Sequence, residues 1–280
     1  MTTHTRHHGP GPIRERRTGR PLGLMALAVH TELRASLRTP EFAVGAVAIP
    51  LVLYAMFGLP NESTLPGGTS VRLAMLVSIA AYGVVSLAIF VFGEDVAGDR
   101  GRGWTRTLAA TPLQTRTYLA GKVGDAVVLA VLIVTALSLL AAFAGGVELD
   151  AGSWLALGAT MVSAVLLFSP LGFAIAYLAR PRAAAVVANL IFLPLAFASG
   201  FFFPLGELPD VIGTIAEVLP TFHFGQLAYR VVMPDGDVEF WSDTATRPLW
   251  IHAVWVLGYA VVLGAAALLA ARREAVTRRG

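Results

Sequence analysis

The stretch VRLAMLVSIAAYGVVSLAIFVF, residues 71–92, decides what kind of molecule this is. It carries one charge, Arg72, near its edge. At about 1.5 Å per helical residue it reaches across a hydrocarbon core of roughly 30 Å. Five more apolar stretches meet the same criterion: 42–59, 122–144, 153–179, 183–203 and 249–271. Composition points the same way, with charged residues at 14% and hydrophobic ones at 56%, against roughly 25% charged in soluble domains. The mean hydropathy is +0.68. An all-α integral membrane protein with six transmembrane helices is expected. Pro50, Pro170 and Pro194 fall inside three of the stretches and should kink them, since neighbouring helices can re-satisfy the freed carbonyls.

Orientation follows from the cations. Eighteen of the 21 Lys and Arg fall on one side of the six stretches: the first 38 residues, the loop from Arg100 to Lys122, Arg180 with Arg182, and the tail from Arg272. The other side holds Arg72, Arg230 and Arg247, and it is rich in Asp and Glu. Lys and Arg stay on the cytoplasmic side of spans, so both termini are expected inside a cell membrane. The chain then divides into a flexible cytoplasmic tail (1–20), an amphipathic helix lying at the inner interface (21–40) and the six-span body (41–280). No cleavable signal peptide is read from the polar, basic N-terminus.

A second element that does not span lies between spans five and six. Leu208, Ile212, Ile215 and Leu219 fall on one helical face of about three turns that Pro220 ends, and a further short helix is expected over 222–232. Neither is long enough to cross a bilayer. Residues 204–233 therefore read as an outer helical hairpin that re-enters the membrane, punctuated by Pro204, Pro209 and Pro220 and carrying Glu217.

Several chemistries are excluded or unsupported. The chain has no cysteine, so disulfides, thiolate nucleophiles and Cys-ligated metals are out. A phosphate-binding P-loop needs Lys followed by Ser or Thr, but the single lysine, Lys122, is followed by Val123. Any ATP-driven work needs a motor on another chain. No nucleophile elbow, no catalytic residues and no metal-ligand spacing are apparent, so no enzyme site, metal or cofactor is expected on this chain. Charges are nearly absent from the spans, Lys122 and Asp125 sitting close enough to the inner interface to snorkel or pair there. That argues against a proton- or ion-coupled carrier, which needs a buried relay. Mid-span polar groups are neutral: Ser78, Tyr82, Ser86, Ser138, Asn189 and Ser199. They either bond helix to helix or line a route for an amphipathic cargo. Ser78, Tyr82, Ser86, Asn189, Phe197 and Ser199 are the residues of that possible route.

The basic loop GDRGRGWTRTLAATPLQTRTYLAGK, residues 98–122, sits between spans two and three on the cytoplasmic side. Asp99 is expected to cap a short helix ended by Thr111-Pro112. On it Trp104, Thr107, Leu108 and Thr111 share one face, and Arg102 pairs with Arg106 on another. An aromatic anchor with a charged rim suits docking to a protein. Anionic lipid is the competing partner, and nucleic acid is a poor one because aromatic and basic residues are not interleaved.

At these residues the chain resembles ABC-2 type transporter permeases. Their coupling-helix loop carries an acidic and basic run, then G-T-x-E-x-L-x-x-T-P and a later G-K. Here Gly103, Leu108, Thr111, Pro112, Gly121 and Lys122 match within 94–122, while Trp104 replaces the usual Thr and Arg106 the usual Glu. Residues 199–230, SGFFFPLGELPDVIGTIAEVLPTFHFGQLAYR, are similar to the family's S-G-x-x-F-P … L-P … P … R run. The resemblance implies a permease subunit of an ATP-driven exporter in the bacterial plasma membrane, similar to drug- and antibiotic-resistance transporters. It implies a second permease subunit, identical or paralogous, and two copies of a P-loop ATPase that binds ATP and Mg. The coupling interface would comprise Asp99, Arg102, Gly103, Trp104, Arg106, Leu108, Thr111 and Pro112. The apolar spans favour a hydrophobic or amphipathic small molecule, drug-, antibiotic- or lipid-like, as cargo. An ATP-independent channel or carrier, and a membrane sensor or scaffold that binds an ATPase without transport, are the alternatives.

Overall fold

The computed structural model describes residues 21–38, 40–104 and 115–277. Those residues form helices joined by turns, with one isolated antiparallel bridge between Thr64 and Ser70. In chain order they are α1 (Pro21–Arg38), α2 (Pro40–Leu53), α3 (Val71–Phe90), α4 (Val96–Gly101), α5 (Thr115–Phe143), α6 (Ala151–Leu178), α7 (Ala184–Ala198), α8 (Asp210–Ala216), α9 (Pro220–Tyr229), α10 (Asp235–Ser242) and α11 (Leu249–Thr277).

Five helical stretches are long and apolar enough to cross a membrane: Val71–Gly101, Thr117–Phe143, Ala151–Leu178, Pro181–Ala198 and Leu249–Arg273. The stretch expected at 42–59 forms α2, which continues through a π-helical turn over Tyr54–Gly58. Its described apolar part, Gly45–Gly58, is shorter than the other five. Pro50, Pro170 and Pro194 each lie inside a helix that continues past them.

The first of the five stretches is the centre of the bundle. Of its most apolar 18 residues 83% are buried, against 11% in α11, which presents Trp250, Val254, Leu257 and Val261 outward. The central stretch is not one regular helix: a π-helical turn, Val91–Asp95, separates α3 from α4. Gly93 of this turn meets Gly172 of α6. A Cβ at Gly172 would lie 2.7 Å from the Phe92 Cβ and 2.9 Å from the Ala88 carbonyl oxygen, so only glycine lets the two backbones approach this closely. A wide turn at a tight crossing aims α4 differently from α3, and such turns concentrate at functional sites.

The acidic end is stitched by its own charges. Asp150 caps α6 by accepting from the backbone N–H groups of Gly152 and Ser153. Asp237 accepts from Gly67 N at 2.5 Å and Thr69 N at 2.9 Å, tying α10 to the loop before α3. Each of the three cations on this side has an acidic partner: Arg72 with Glu62, Arg230 with Asp235, and Arg247 with Glu217.

The short helices expected over 204–233 have different bounds. The fifth stretch ends at Ala198 rather than 203, because Ser199 caps it and Gly200 takes a left-handed φ of 75°. The first short helix, expected to run three turns to Pro220, is the seven-residue α8 and ends in a turn at 217–218. Pro220 opens the next helix instead of only closing the last one. It lacks the N–H that a first helical position leaves unused, and its fixed φ suits that position. The helix expected at 222–232 therefore begins two residues earlier and ends at Tyr229. The acidic stretch after it forms α10.

Candidate functional site: an ion cluster at the root of the basic loop

At the basic end α1, α4 and α5 converge on Lys122. Its Nζ lies 2.9 Å from Glu32 of α1, 3.5 Å from Asp99 of α4 and 3.8 Å from Asp95 in the preceding π turn. The lysine side chain is only 8% exposed. One cation thus faces three carboxylates, from α1, the π turn and α4, and removing it would leave partly buried negative charge uncompensated. Asp99 is the busiest member. One of its oxygens accepts from the Tyr118 hydroxyl at 2.6 Å and the other from the Arg102 guanidinium at 2.7 Å. One turn along α5, Asp125 accepts from Ser36 of α1 at 2.7 Å.

Close packing makes the cluster possible. Gly121 and Gly124 form the surface of α5 that receives α1, and a Cβ at Gly124 would fall 2.3 Å from the Val29 Cγ2. On the other side Arg100 donates to the Ala176 carbonyl and lies over the Tyr177 ring at 4.8 Å, which ties α4 to the end of α6. The root of the basic loop is therefore held by α1, α5 and α6 together.

This arrangement corrects the expected role of Asp99. It does not cap the start of a helix: it sits inside α4, which ends at Gly101 with Arg102 as its C-terminal cap, and Gly103 then takes a φ of 78°. That left-handed conformation suits glycine and costs other residues. Trp104 follows, 43% exposed, and Arg102 is exposed at the rim. Arg106, Leu108, Thr111 and Pro112, with the helix expected there, lie outside the described residues.

Of the six residues of the possible route, two are turned inward. Ser78 donates or accepts at 2.7 Å with the Tyr229 hydroxyl, which also accepts from the Trp241 ring N–H. Ser199 shares a 2.5 Å hydrogen bond with Thr221. The others lie near a surface between α3 and α7. Between Leu73 and Phe90, α3 is buried everywhere except at Tyr82, Ser86 and Phe90, which recur every four residues on one stripe. Tyr82 and Phe90 contact Phe192 of α7 with ring centroids 5.3 and 6.0 Å apart. Tyr82 also meets Phe202, against which Phe197 packs. On α7, Val186, Asn189, Leu190, Leu193 and Phe197 form an exposed stripe at helical spacing. In the outer hairpin Pro204 and Pro209 precede its two short helical turns, Pro220 begins α9, and Glu217 pairs with Arg247 at 2.7 Å.

Glu32, Asp95 and Tyr118 were not expected at the site, and Lys122 was expected to snorkel or pair at the interface. The signal was present in the spacing: Asp95 and Asp99, like Tyr118 and Lys122, are four residues apart and so share a helical face. Which faces meet was the missing fact.

Residues 61–269 match the model of the ABC-2 family transporter protein. The chain belongs to the ABC-2 transporter family. A second similarity agrees: the chain is 26% identical over 201 residues to YvfS of Bacillus subtilis (strain 168), a protein provisionally named a transport permease. That match covers 72% of this chain and 82% of YvfS. The ABC-2 match starts just before α3 and ends inside α11, so it includes both the ion cluster's α4 and α5 members and the short helices α8 and α9. Membership makes the chain a transmembrane transport subunit, and the family implies association with an ABC ATPase partner. The cluster's Glu32, on α1, lies before the matched region.

Proposed function

We propose that this ABC-2 protein is the permease subunit of an ATP-driven exporter, and that the Lys122 cluster passes the motion of a separate ATPase into the membrane bundle. The observation that carries the reading is the convergence of α1, α4 and α5 on one buried lysine at the foot of the loop that bears Trp104. A flexible loop would absorb a push. A loop rooted in a buried ion cluster hands it to three helices, because packed elements shift between discrete arrangements rather than deform.

In this reading α2 is the first of six spans, both termini are cytoplasmic, and α1 lies along the inner interface of the bacterial plasma membrane. Two permease subunits, identical or paralogous, stand side by side. Each seats its loop, with Trp104 and Leu108 as the knob and Arg102 and Arg106 as the rim, in a groove of one of two P-loop ATPase copies. Those partners bind ATP and Mg. Closure of the ATPase pair drives the two loops together and shifts α2, α3 and α7 against each other. The hairpin at 204–233 re-enters from the outer face.

The cargo is a hydrophobic or amphipathic small molecule of drug, antibiotic or lipid-like character. Support comes from the aromatic stripe Tyr82, Ser86 and Phe90 beside the exposed face of α7, a surface with hydroxyls but no fixed charge. The experiment is co-purification with a P-loop ATPase, followed by transport of lipophilic dyes into inverted vesicles. Uptake that needs both ATP and the partner supports the reading. Uptake by this chain alone would favour a channel or carrier, and ATPase binding without uptake would favour a scaffold.

A further inference from the structure

At the acidic end, away from the coupling cluster, His223 of α9 and His252 of α11 face each other with their Nδ1 atoms 2.8 Å apart. Both residues are essentially inaccessible to solvent. They link α9 directly to the last helix, beside the stack of Trp255 on the His223 ring at 5.1 Å and the bond from the Tyr259 hydroxyl to the Val218 carbonyl.

Hydrogen-bond logic fixes both tautomers. The His223 Nε2 lies 3.0 Å from the Glu217 carbonyl oxygen. A carbonyl only accepts, so this nitrogen carries the proton and the His223 Nδ1 of a neutral ring is bare. The proton between the rings must then belong to the His252 Nδ1. The neutral His252 ring is left with a bare Nε2, which is buried and has no hydrogen-bond partner among the described residues.

We propose that the His223–His252 pair is a proton-operated clasp, which holds the outer hairpin to the last helix when both rings are neutral and releases it on acidification. The next proton has one basic nitrogen to occupy, the His252 Nε2. There it makes a buried N–H with no acceptor, and a positive charge facing two guanidiniums. Those are Arg247, which precedes α11, and Arg230 at the end of α9. Their acidic partners, Glu217 and Asp235, are already engaged at 2.7 and 3.5 Å. The Tyr259 hydroxyl is also taken, donating to the Val218 carbonyl at 2.8 Å. Separation of α9 from α11 relieves both costs by admitting water.

The direction follows from linkage. Burial pushes the His223 imidazole below the usual histidine range, and Arg247 adds to this against the opposing pull of the Glu217 carbonyl and carboxylate. A histidine held neutral in the closed state stabilises it fully above the free value near 6.5. That contribution is lost as the pH falls from there toward the depressed value. The clasp needs neither cargo nor ATPase, so its test is independent of the transport reading.

The test is hydrogen exchange of the full-length protein in lipid nanodiscs at about pH 7.5 and about pH 5.5, with α9 rates corrected for intrinsic chemistry and referenced to α5. Exchange in α9 should accelerate well over tenfold in acid, because each of the two rings freed on opening contributes up to about tenfold one pH unit below the free value. His252→Asn keeps an N–H donor near the Nδ1 position but has no basic Nε2, and should cut the acceleration to the part that His223 alone supplies. An unchanged wild-type rate, or the same acceleration in His252→Asn, overturns the proposal. If that variant does not fold, 15N-histidine spectra of the chain with His4, His7, His8 and His30 changed to Asn still decide. Near neutral pH they should show Nε2–H for His223 and Nδ1–H for His252, and the reverse pair of tautomers overturns the clasp.

Discussion

Lys122 of α5 sits 2.9 Å from Glu32 of α1 and 3.5 Å from Asp99 of α4. The lead-in helix and the root of the basic loop are thereby bound to the same cation. Any displacement of the loop is shared with α1, and both are fixed to a helix that continues to the far side of the bundle. The cluster also has an excess of acid, so its stability depends on the lysine more than on any one carboxylate.

Replacing Lys122 with Met keeps the length and removes the charge. Glu32, Asp95 and Asp99 then face one another without their shared cation, and because the carboxylates are partly exposed the cost falls below the roughly 3–5 kcal/mol of a fully buried broken pair. Thermal unfolding of the purified protein should shift sharply downward in Lys122→Met. Glu32→Gln should shift it much less, because two carboxylates remain. Equal shifts would show that Lys122 does not serve all three.

The α1–α5 contact can be tested without touching a charge. Gly124→Leu has no room beside Val29, and overpacking costs about 1–3 kcal/mol. The variant should expose α1 to protease while the rest of the bundle stays resistant. A proteolysis pattern like the wild type would place α1 elsewhere.

At the acidic end Asp237 accepts from two backbone N–H groups. Its burial raises the carboxyl, but the bonds from Thr69 and Gly67 outweigh this and hold it below the usual carboxylate range. The stabilisation is therefore present above the free value near 3.9 and is lost as pH falls through the lower folded value. Asp237→Asn should cost about 1.5–3 kcal/mol near neutral pH, measured by denaturation in detergent. A variant as stable as the wild type would contradict the assignment.

Much of this was legible in the sequence, and the failures have physical causes. Apolar length alone located the five helices long enough to cross a membrane, because each needs no partner to be read, while the described apolar part of the stretch at 42–59, Gly45–Gly58, is shorter. The charges separated cleanly between the two ends. What failed was anything set by contact between elements. Asp99 looks like a cap by its neighbours in the chain, yet the helix runs through it because Lys122 and Tyr118 occupy its carboxylate. Glu32 gives no local signal at all. Pro220 ends a helical pattern in the sequence, yet the same missing N–H makes it a start. The Tyr82, Ser86 and Phe90 stripe could be spaced from the sequence, but only the packing of α3 shows that it is the open one.

For cargo, the stripe on α3 should matter more than the outer hairpin. Tyr82→Ala or Phe192→Ala should change which lipophilic dyes are exported, whereas exchanging 204–233 with a related hairpin should change the rate and leave the ranking of dyes intact. A ranking that follows the exchanged hairpin would refute the assignment.

The most direct test of the central claim is the ratio of molecules exported to ATP hydrolysed, measured in proteoliposomes containing this chain and its ATPase. Trp104→Ala should either lose the ATPase on purification or retain hydrolysis with export reduced about tenfold or more, in line with the loss of a single aromatic anchor of about 2 kcal/mol. Unchanged partner binding together with an unchanged ratio would contradict the account.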